Sequence, residues 1–103
     1  MGNFIKVATT GDLSPGKAMK VEVNDEEVAL FNLNGEYYAI SDVCTHAGGP
    51  LSEGELDGEE VECPWHGGRF NVRSGEATGP PAPRAVESYS VKVEGEDILI
   101  SLD

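Results

Sequence analysis

The chain contains two short segments, Cys44-Thr45-His46 and Cys63-Pro64-Trp65-His66, separated by sixteen residues. These segments use both cysteines and both histidines of the 103-residue chain. Each follows a predicted strand and enters a loop rich in Gly or Pro, Ala47–Pro50 after the first and Gly67-Gly68 after the second. We therefore expect the two loops to emerge from one end of a β scaffold and to bring four potential ligands together.

Four kinds of site are compatible with two Cys-His pairs. A disulfide would explain neither histidine, and nothing in the chain indicates an oxidising compartment. Two unrelated buried thiols would not explain why each cysteine is followed by a histidine two or three residues later. A Cys₂His₂ zinc site remains open, although one residue between Cys44 and His46 is an unusually short spacing for zinc ligands. A [2Fe–2S] cluster with two Cys on one iron and two His on the other accounts for the pattern best, because each loop then gives one ligand to each iron.

Strand signals dominate the rest of the chain, and no segment has a convincing helical pattern. The turn Asn34-Gly35 is the strongest hairpin signal, because both residues tolerate positive φ. Three prolines keep residues 79–83 from being a helix or a central strand. We predict an all-β domain of about eight to ten short strands, a sandwich or a small barrel. The predicted strands are Phe4–Ala8, Ala18–Val23, Val28–Leu33, Glu36–Ile40, Glu60–Glu62, Arg69–Val72, Ser88–Val93 and Ile98–Ile100.

The formal charge of −12 arises in the middle of the chain, because Val21 to Gly68 holds twelve acidic residues and no Lys or Arg. Such a field repels nucleic acid and anionic lipid, and it favours a partner with a basic surface. The sequence has no membrane-spanning apolar stretch and no signal-peptide pattern, so we expect a cytoplasmic protein. It also lacks phosphate-loop, dinucleotide-binding and nucleophile-elbow motifs, which argues against a stand-alone enzyme.

The two segments, with Gly67-Gly68-Arg69-Phe70 after the second, closely resemble the ligand motif of Rieske-type ferredoxins. The resemblance extends to Ala39–Val43, to Gly79-Pro80-Pro81 and to the closing hairpin, and so covers essentially the whole chain. It implies a single Rieske domain over residues 1–103, an antiparallel β sandwich with a small cluster-binding subdomain over residues 43–83.

The resemblance also implies the roles of the four ligands. Cys44 and Cys63 are expected to hold the inner iron of one [2Fe–2S] cluster, and His46 and His66 the outer, more exposed iron. The segment Pro80-Pro81 is expected either to cover the cluster as a third loop or to be a simple turn.

By the same resemblance the chain is a soluble one-electron carrier and not an enzyme. It is expected to accept electrons from a flavin-dependent NAD(P)H ferredoxin reductase and to pass them to a terminal Rieske oxygenase, docking around His46 and His66. We expect a monomer without nucleic-acid or membrane partners. The alternative is a small Rieske subunit of a larger oxidoreductase, such as a nitrite reductase.

The chain departs from high-potential Rieske proteins at four positions. Gly49 and Trp65 stand where those proteins carry a second cysteine pair, so their disulfide is absent. Gly68 and Phe70 stand where those proteins place a Ser and a Tyr that donate hydrogen bonds toward the cluster. Six carboxylates between residues 53 and 62 add negative charge. We predict a reduction potential in the lower part of the roughly −150 to +300 mV span of Rieske centres.

Two further expectations concern residues near the ligands. Trp65 either shields the cluster, which we prefer, or presents an aromatic side chain at a docking face. Arg69, Arg73 and Arg84 are expected to form ordinary surface ion pairs.

Overall fold

The computed structural model describes residues 4–43, 50–65, 68–79 and 85–101. These residues form ten β-strands and two short 3-10 helices, Thr10–Asp12 and Leu51–Glu53, which confirms the all-β prediction. The strands are β1 (Ile5–Thr9), β2 (Ala18–Val23), β3 (Glu26–Leu33), β4 (Glu36–Ser41), β5 (Glu55–Asp57), β6 (Glu60–Glu62), β7 (Arg69–Asn71), β8 (Ala77–Gly79), β9 (Ser88–Glu94) and β10 (Asp97–Ser101).

The strands make two antiparallel sheets. The larger has six strands in the order β1-β10-β9-β4-β3-β2. Its edge strands β1 and β2 contact each other, so this sheet curls toward a barrel. The smaller sheet is a meander of four strands in the order β5-β6-β7-β8, and it carries the sequence around Cys63. The smaller sheet therefore belongs to the part of the chain that holds the second ligand segment.

Strand β3 lies between two hydrophobic cores, because successive side chains of a strand point to opposite faces. Val28 and Leu30 enter the core enclosed by the curled sheet, which we call the base core. Ala29 and Phe31 enter the core between the two sheets, which we call the interface core. All four residues have no exposed surface, which explains the unbroken apolar run in the sequence.

Two hairpin turns have the backbone that their sequences predict. Asn24 and Asp25 both have positive φ between β2 and β3, and Asn34 and Gly35 have φ values of 54° and 96° between β3 and β4. Consecutive positive φ values produce the twist that a two-residue hairpin needs. The predicted turn at Asn34-Gly35 is therefore confirmed.

The structure adds two strands to those predicted, β5 and β8, and moves several strand ends by one or two residues. Both added strands have three residues, which is too short for an alternating pattern to be recognised. Strand β8 ends at Gly79, immediately before the prolines, and it lies at the edge of its sheet. The proposed proline loop itself, Pro80-Pro81, lies outside the described residues.

Candidate metal centre

Of the four predicted ligands, the structure describes Cys63. Cys44, His46 and His66 lie outside the described residues, as do Gly49 and Arg84. Cys63 directly follows β6 and is only 1% exposed. It belongs to the interface core, where Val61, Phe70 and Leu51 are completely buried. The side chain of Cys63 is thus held by packed apolar neighbours on three elements, β6, β7 and the 3-10 helix Leu51–Glu53.

A backbone hydrogen bond closes the second ligand segment. The amide of Cys63 donates to the carbonyl of Gly68 at 2.7 Å. The same hairpin pairs Glu62 with Arg69, so β6 and β7 lead directly into this closure. Residues 64–67, including the predicted ligand His66, therefore connect two points that are fixed by the sheet.

The first ligand segment is bracketed in a similar way. Val43 and Pro50 form an antiparallel bridge, and the amide of Leu51 donates to the carbonyl of Asp42 at 2.8 Å. The Asp42 carboxylate also accepts a hydrogen bond from the amide of Ser52 at 2.7 Å. Residues 44–49, which include Cys44 and His46, begin and end at this closure.

The bases of the two segments pack against each other. Leu51, in the 3-10 helix that follows the first segment, shares the interface core with Cys63. The next turn brings Gly54 against β6 so closely that an added Cβ would overlap the carbonyl oxygen of Glu62. The described residues that flank the two predicted ligand segments therefore lie at neighbouring points of one packed unit.

Arg69 gathers much of the negative charge next to Cys63. Its guanidinium lies 3.2 Å from a carboxylate oxygen of Glu60, 3.3 Å from one of Glu62 and 3.4 Å from one of Asp57. The hydrogen bonds to Glu60 and Asp57 raise the pKa of Arg69 above its ordinary value. The predicted ion pair is confirmed, with three partners rather than one.

Arg73 joins the two sheets. Its guanidinium lies 3.0 Å from a carboxylate oxygen of Glu59, 3.3 Å from one of Glu36 on β4, and 5.0 Å from the ring centre of Tyr38. With Arg69, it pairs four of the six carboxylates between residues 53 and 62. In the described part of the chain, Glu53 and Glu55 alone of those six form no ion pair. The negative field expected from all six carboxylates is therefore weaker than the sequence suggests.

The surface beside Cys63 is both acidic and apolar. A surface cavity of about 290 Å³ lies against Cys63 and is lined by Glu53, Gly54, Glu55, Glu62 and Pro64. Trp65 is 57% exposed and Val43, immediately before the first segment, is 46% exposed. The exposure of Trp65 favours the docking interpretation over the preferred expectation that it shields the cluster.

The donor chemistry fits a Cys₂His₂ iron–sulfur cluster. Cys63 places a polarisable sulfur at the boundary between an apolar core and a surface cavity, and each of the two bracketed segments contains one Cys and one His in its sequence. Two residues that follow the second segment offer no side-chain hydrogen-bond donor, because Gly68 has no side chain and the buried side chain of Phe70 has no polar group. In the described ranges, which include only Cys63 of the four predicted ligands, no group of three or more His, Cys, Asp or Glu side chains is arranged to hold a metal ion.

The family model for the Rieske [2Fe–2S] domain matches residues 3–90 of this chain. The chain belongs to the Rieske [2Fe–2S] domain family. Its Rieske domain is 38% identical, over 98% of this chain and 97% of its relative, to the ferredoxin component of the naphthalene 1,2-dioxygenase/salicylate 5-hydroxylase systems of Ralstonia sp.

Solved Rieske structures agree with this relationship. The ferredoxin of carbazole 1,9a-dioxygenase from Nocardioides aromaticivorans IC177 superposes with a TM-score of 0.94 at 38% identity, covering 98% of this chain and 99% of that one. A ferredoxin chain in a complex of reduced oxygenase and oxidised ferredoxin of carbazole 1,9a-dioxygenase superposes with a TM-score of 0.89 at 34% identity, covering 95% and 92%.

These findings fix the cofactor and the class of activity. The cofactor of the family is a Rieske-type [2Fe–2S] cluster, and the similar proteins are ferredoxins of dioxygenase systems. The chain is thus an electron carrier of the ferredoxin type and not a catalytic enzyme, which favours the carrier over the nitrite reductase alternative. The described residues include no helix that is long and apolar enough to cross a membrane.

Proposed function

We propose that this ferredoxin takes single electrons from a flavin-dependent NAD(P)H reductase and delivers them to a terminal Rieske oxygenase. Because the reductase takes its electrons from the cytoplasmic NAD(P)H pool, we place the carrier in the cytoplasm. We also propose that it acts as a monomer. The single observation that carries the proposal is the pair of closed loops, which start from one packed unit and each contain one Cys and one His.

We assign the cluster to Cys44, His46, Cys63 and His66, with the histidines on the more exposed iron. The cluster, when bound, supplies a centre that gains and loses one electron. The chain's own contribution is to hold these ligands at the surface end of the interface core. We also propose that residues 43–83 act as the cluster-binding subdomain, which is supported by the separate four-stranded sheet within residues 55–79.

The surface around the second loop suits transient docking. Trp65 and Val43 offer exposed apolar area, and Glu53 and Glu55 add carboxylates that have no ion pair within the described residues. A similar ferredoxin forms a complex with its oxygenase, which supports an oxygenase as one partner. An apolar centre with acidic neighbours matches a partner surface that is apolar with basic residues around it.

The carrier role is tested by following electrons through the purified components. We expect NADH, a reductase of the dioxygenase-ferredoxin type and this protein together to reduce a terminal Rieske oxygenase, with rates that fall as salt increases. Omission of the ferredoxin should abolish the transfer. Co-purification as a fixed subunit of a larger catalytic chain, with no transfer to an oxygenase, would contradict the proposal.

The expected reduction potential can be tested by a redox titration of the same purified ferredoxin. The absence of side-chain donors at Gly68 and Phe70 lowers the potential, because fewer hydrogen bonds stabilise the more negative reduced state. Pairing of four carboxylates by Arg69 and Arg73 reduces the further lowering that we expected from charge. A redox titration is expected to give a midpoint in the lower part of the roughly −150 to +300 mV range. A clearly positive midpoint would contradict this expectation.

A further inference from the structure

Asp42 is a buried acidic residue at the entrance to the first ligand loop. Its side chain is 2% exposed, and among the described residues it forms no ion pair. Burial of a carboxylate is costly unless hydrogen bonds compensate for lost water. The carboxylate of Asp42 accepts the amide of Ser52 at 2.7 Å, across the base of the loop.

The backbone of Asp42 is fixed on both sides. Its amide donates to the carbonyl of Glu27 on β3 at 3.0 Å, and its carbonyl accepts the amide of Leu51 at 2.8 Å. Asp42 thus links a central strand of the larger sheet to the residues that leave the first loop. The side-chain bond to Ser52 is the second connection across the loop, and an acceptor with negative charge makes it stronger than a neutral bond.

The residues that Asp42 holds lead directly to the second loop. Ser52 lies in the 3-10 helix Leu51–Glu53, whose Leu51 is completely buried in the interface core with Cys63. After this helix, Gly54 lies against the carbonyl of Glu62, the residue before Cys63. The contacts therefore run without a gap from the start of the first loop to the ligand of the second.

We propose that Asp42 is a positioning residue, whose carboxylate fixes the first ligand loop relative to Cys63. The inference rests on the proposed ligand set, because Cys44 and His46 lie in the loop that Asp42 closes. Loss of the carboxylate leaves the Ser52 amide without its acceptor and loosens one end of the loop. The described residues that flank the first ligand segment are then held less firmly relative to Cys63, so we expect iron to be held less firmly.

The test compares holo wild-type protein with D42A, D42N and the control D97A. Asp97 is an acidic residue of β10 that pairs with Lys6, so its replacement removes the same charge elsewhere. The readouts are the rate of iron loss to a chelator and the electron paramagnetic resonance spectrum of the reduced protein. D42A is expected to lose iron about 10–100-fold faster, as replacements behind metal ligands typically do, and to give a broadened or shifted spectrum.

D97A is expected to match the wild type in both measurements, and D42N to lose iron only slightly faster than the wild type, because its neutral acceptor makes a weaker hydrogen bond. The amide oxygen of Asn still accepts the hydrogen bond of Ser52, so D42N should rescue the defect of D42A. The inference would be overturned if D42A lost iron at the wild-type rate and gave the wild-type spectrum. A D42N protein as impaired as D42A would also overturn it, because the effect would then come from charge and not from the hydrogen bond.

A second comparison applies if D42A does not fold. In the folded holo wild type, the Ser52 amide should exchange its hydrogen slowly, and exchange as fast as in an open loop would overturn the inference. G54A should also speed iron loss, since its Cβ overlaps the Glu62 carbonyl, whereas the control G11A has open space around the new atom. A wild-type protein without a His-ligated signal would refute the ligand assignment itself, whatever the variants do.

Discussion

Arg69 decides how much negative charge surrounds the second ligand loop. Its three carboxylate partners, Asp57, Glu60 and Glu62, lie on or beside the hairpin that ends at Cys63. A lone guanidinium among three carboxylates leaves the group negative overall. Without the guanidinium, the full charge of all three would act on any electron that enters the neighbouring centre.

Replacement of Arg69 should therefore lower the reduction potential. We expect R69Q to have a more negative midpoint than the wild type, because the reduced state carries the additional negative charge. The difference should shrink at high salt, since exposed charges are screened. K6Q removes an exposed cation that pairs with Asp97 on the larger sheet and serves as the control. Redox titrations that give R69Q an unchanged or higher midpoint would contradict the charge interpretation.

For single residues, the sequence predicts which side chains are ligands or form ion pairs better than it predicts which side chains they contact. The Cys-His spacing identified the four ligands as candidates, and surface ion pairs were expected for Arg69 and Arg73. The number of partners of Arg69 could not be predicted, because Asp57 reaches it only through the pairing of β5 with β6. Such short strands have no pattern that would reveal their register.

The elements divide the molecule into two cores with different roles. The base core supports the curled sheet, whereas the interface core connects that sheet to Cys63. Leu30 and Leu51 are both completely buried, one in each core. Replacement of each leucine in turn can therefore separate an effect on the free energy of unfolding from an effect on the metal centre.

We expect L51A and L30A to lower the free energy of unfolding by similar amounts, about 2–5 kcal/mol each. Only L51A should also speed iron loss from the folded holo protein, because its cavity opens beside Cys63. Urea unfolding and chelator-driven iron release measure the two effects separately. Equal iron release from both folded variants would show that the interface core has no special role in holding the ligand.

Strand β9 gives the fold an alkaline sensitivity. Burial raises the pKa of Tyr89, which pairs with Ala39 of β4, and the charges of Glu26 and Glu87 raise it further. Above the ordinary tyrosine pKa of about 10, the unfolded chain loses this proton while the folded chain keeps it. Stability therefore falls as pH rises through this window and the folded pKa. Y89F should show a shallower loss of stability between pH 9 and 11 in urea unfolding, and parallel curves would refute the assignment.

Sequence patterns predict where strands lie but not how far neighbouring strands overlap. Alternation and turn residues predicted the longer strands, including Val28–Leu33 within β3. Val93 lies on the same face of β9 as the half-buried residues Tyr89 and Val91, yet it is 43% exposed. Within β9, only Ser88 and Tyr89 pair with β4, so the far end of β9 extends past β4. This overlap depends on register, which the pattern of one strand does not contain.

On the scale of the whole molecule, the position of charge matters more than its total. Arg69 and Arg73 pair four carboxylates, while Glu53 and Glu55 remain on the cavity beside Cys63. Glu94 and Glu96 lie at the far end of β9, whose seven residues span about 20 Å from Ser88. The amide of Ser41 donates to the carbonyl of Glu87 at 2.8 Å, so β9 begins near the first ligand loop.

These two acidic pairs allow a comparison of docking at equal loss of carboxylates, with the difference that Glu94 pairs with Lys92 at 2.9 Å. The double variants E53Q/E55Q and E94Q/E96Q remove the same charge from near and far positions. We expect E53Q/E55Q to reduce a terminal oxygenase more slowly at low salt and to show a weaker salt dependence, because the attraction to a basic surface is reduced. E94Q/E96Q should behave nearly as the wild type. Equal effects of the two variants would mean that only the net charge matters.

The claim that most needs a direct test is the ligation of the cluster by Cys44, His46, Cys63 and His66. Electron paramagnetic resonance of the dithionite-reduced protein, with ¹⁵N-labelled histidine and detection of the nearby nuclei, addresses it. We predict a rhombic signal whose average lies below the free-electron value and two directly bonded histidine nitrogens. A colourless, silent protein that contains zinc, or a reduced cluster without bonded histidine nitrogen, would contradict the account.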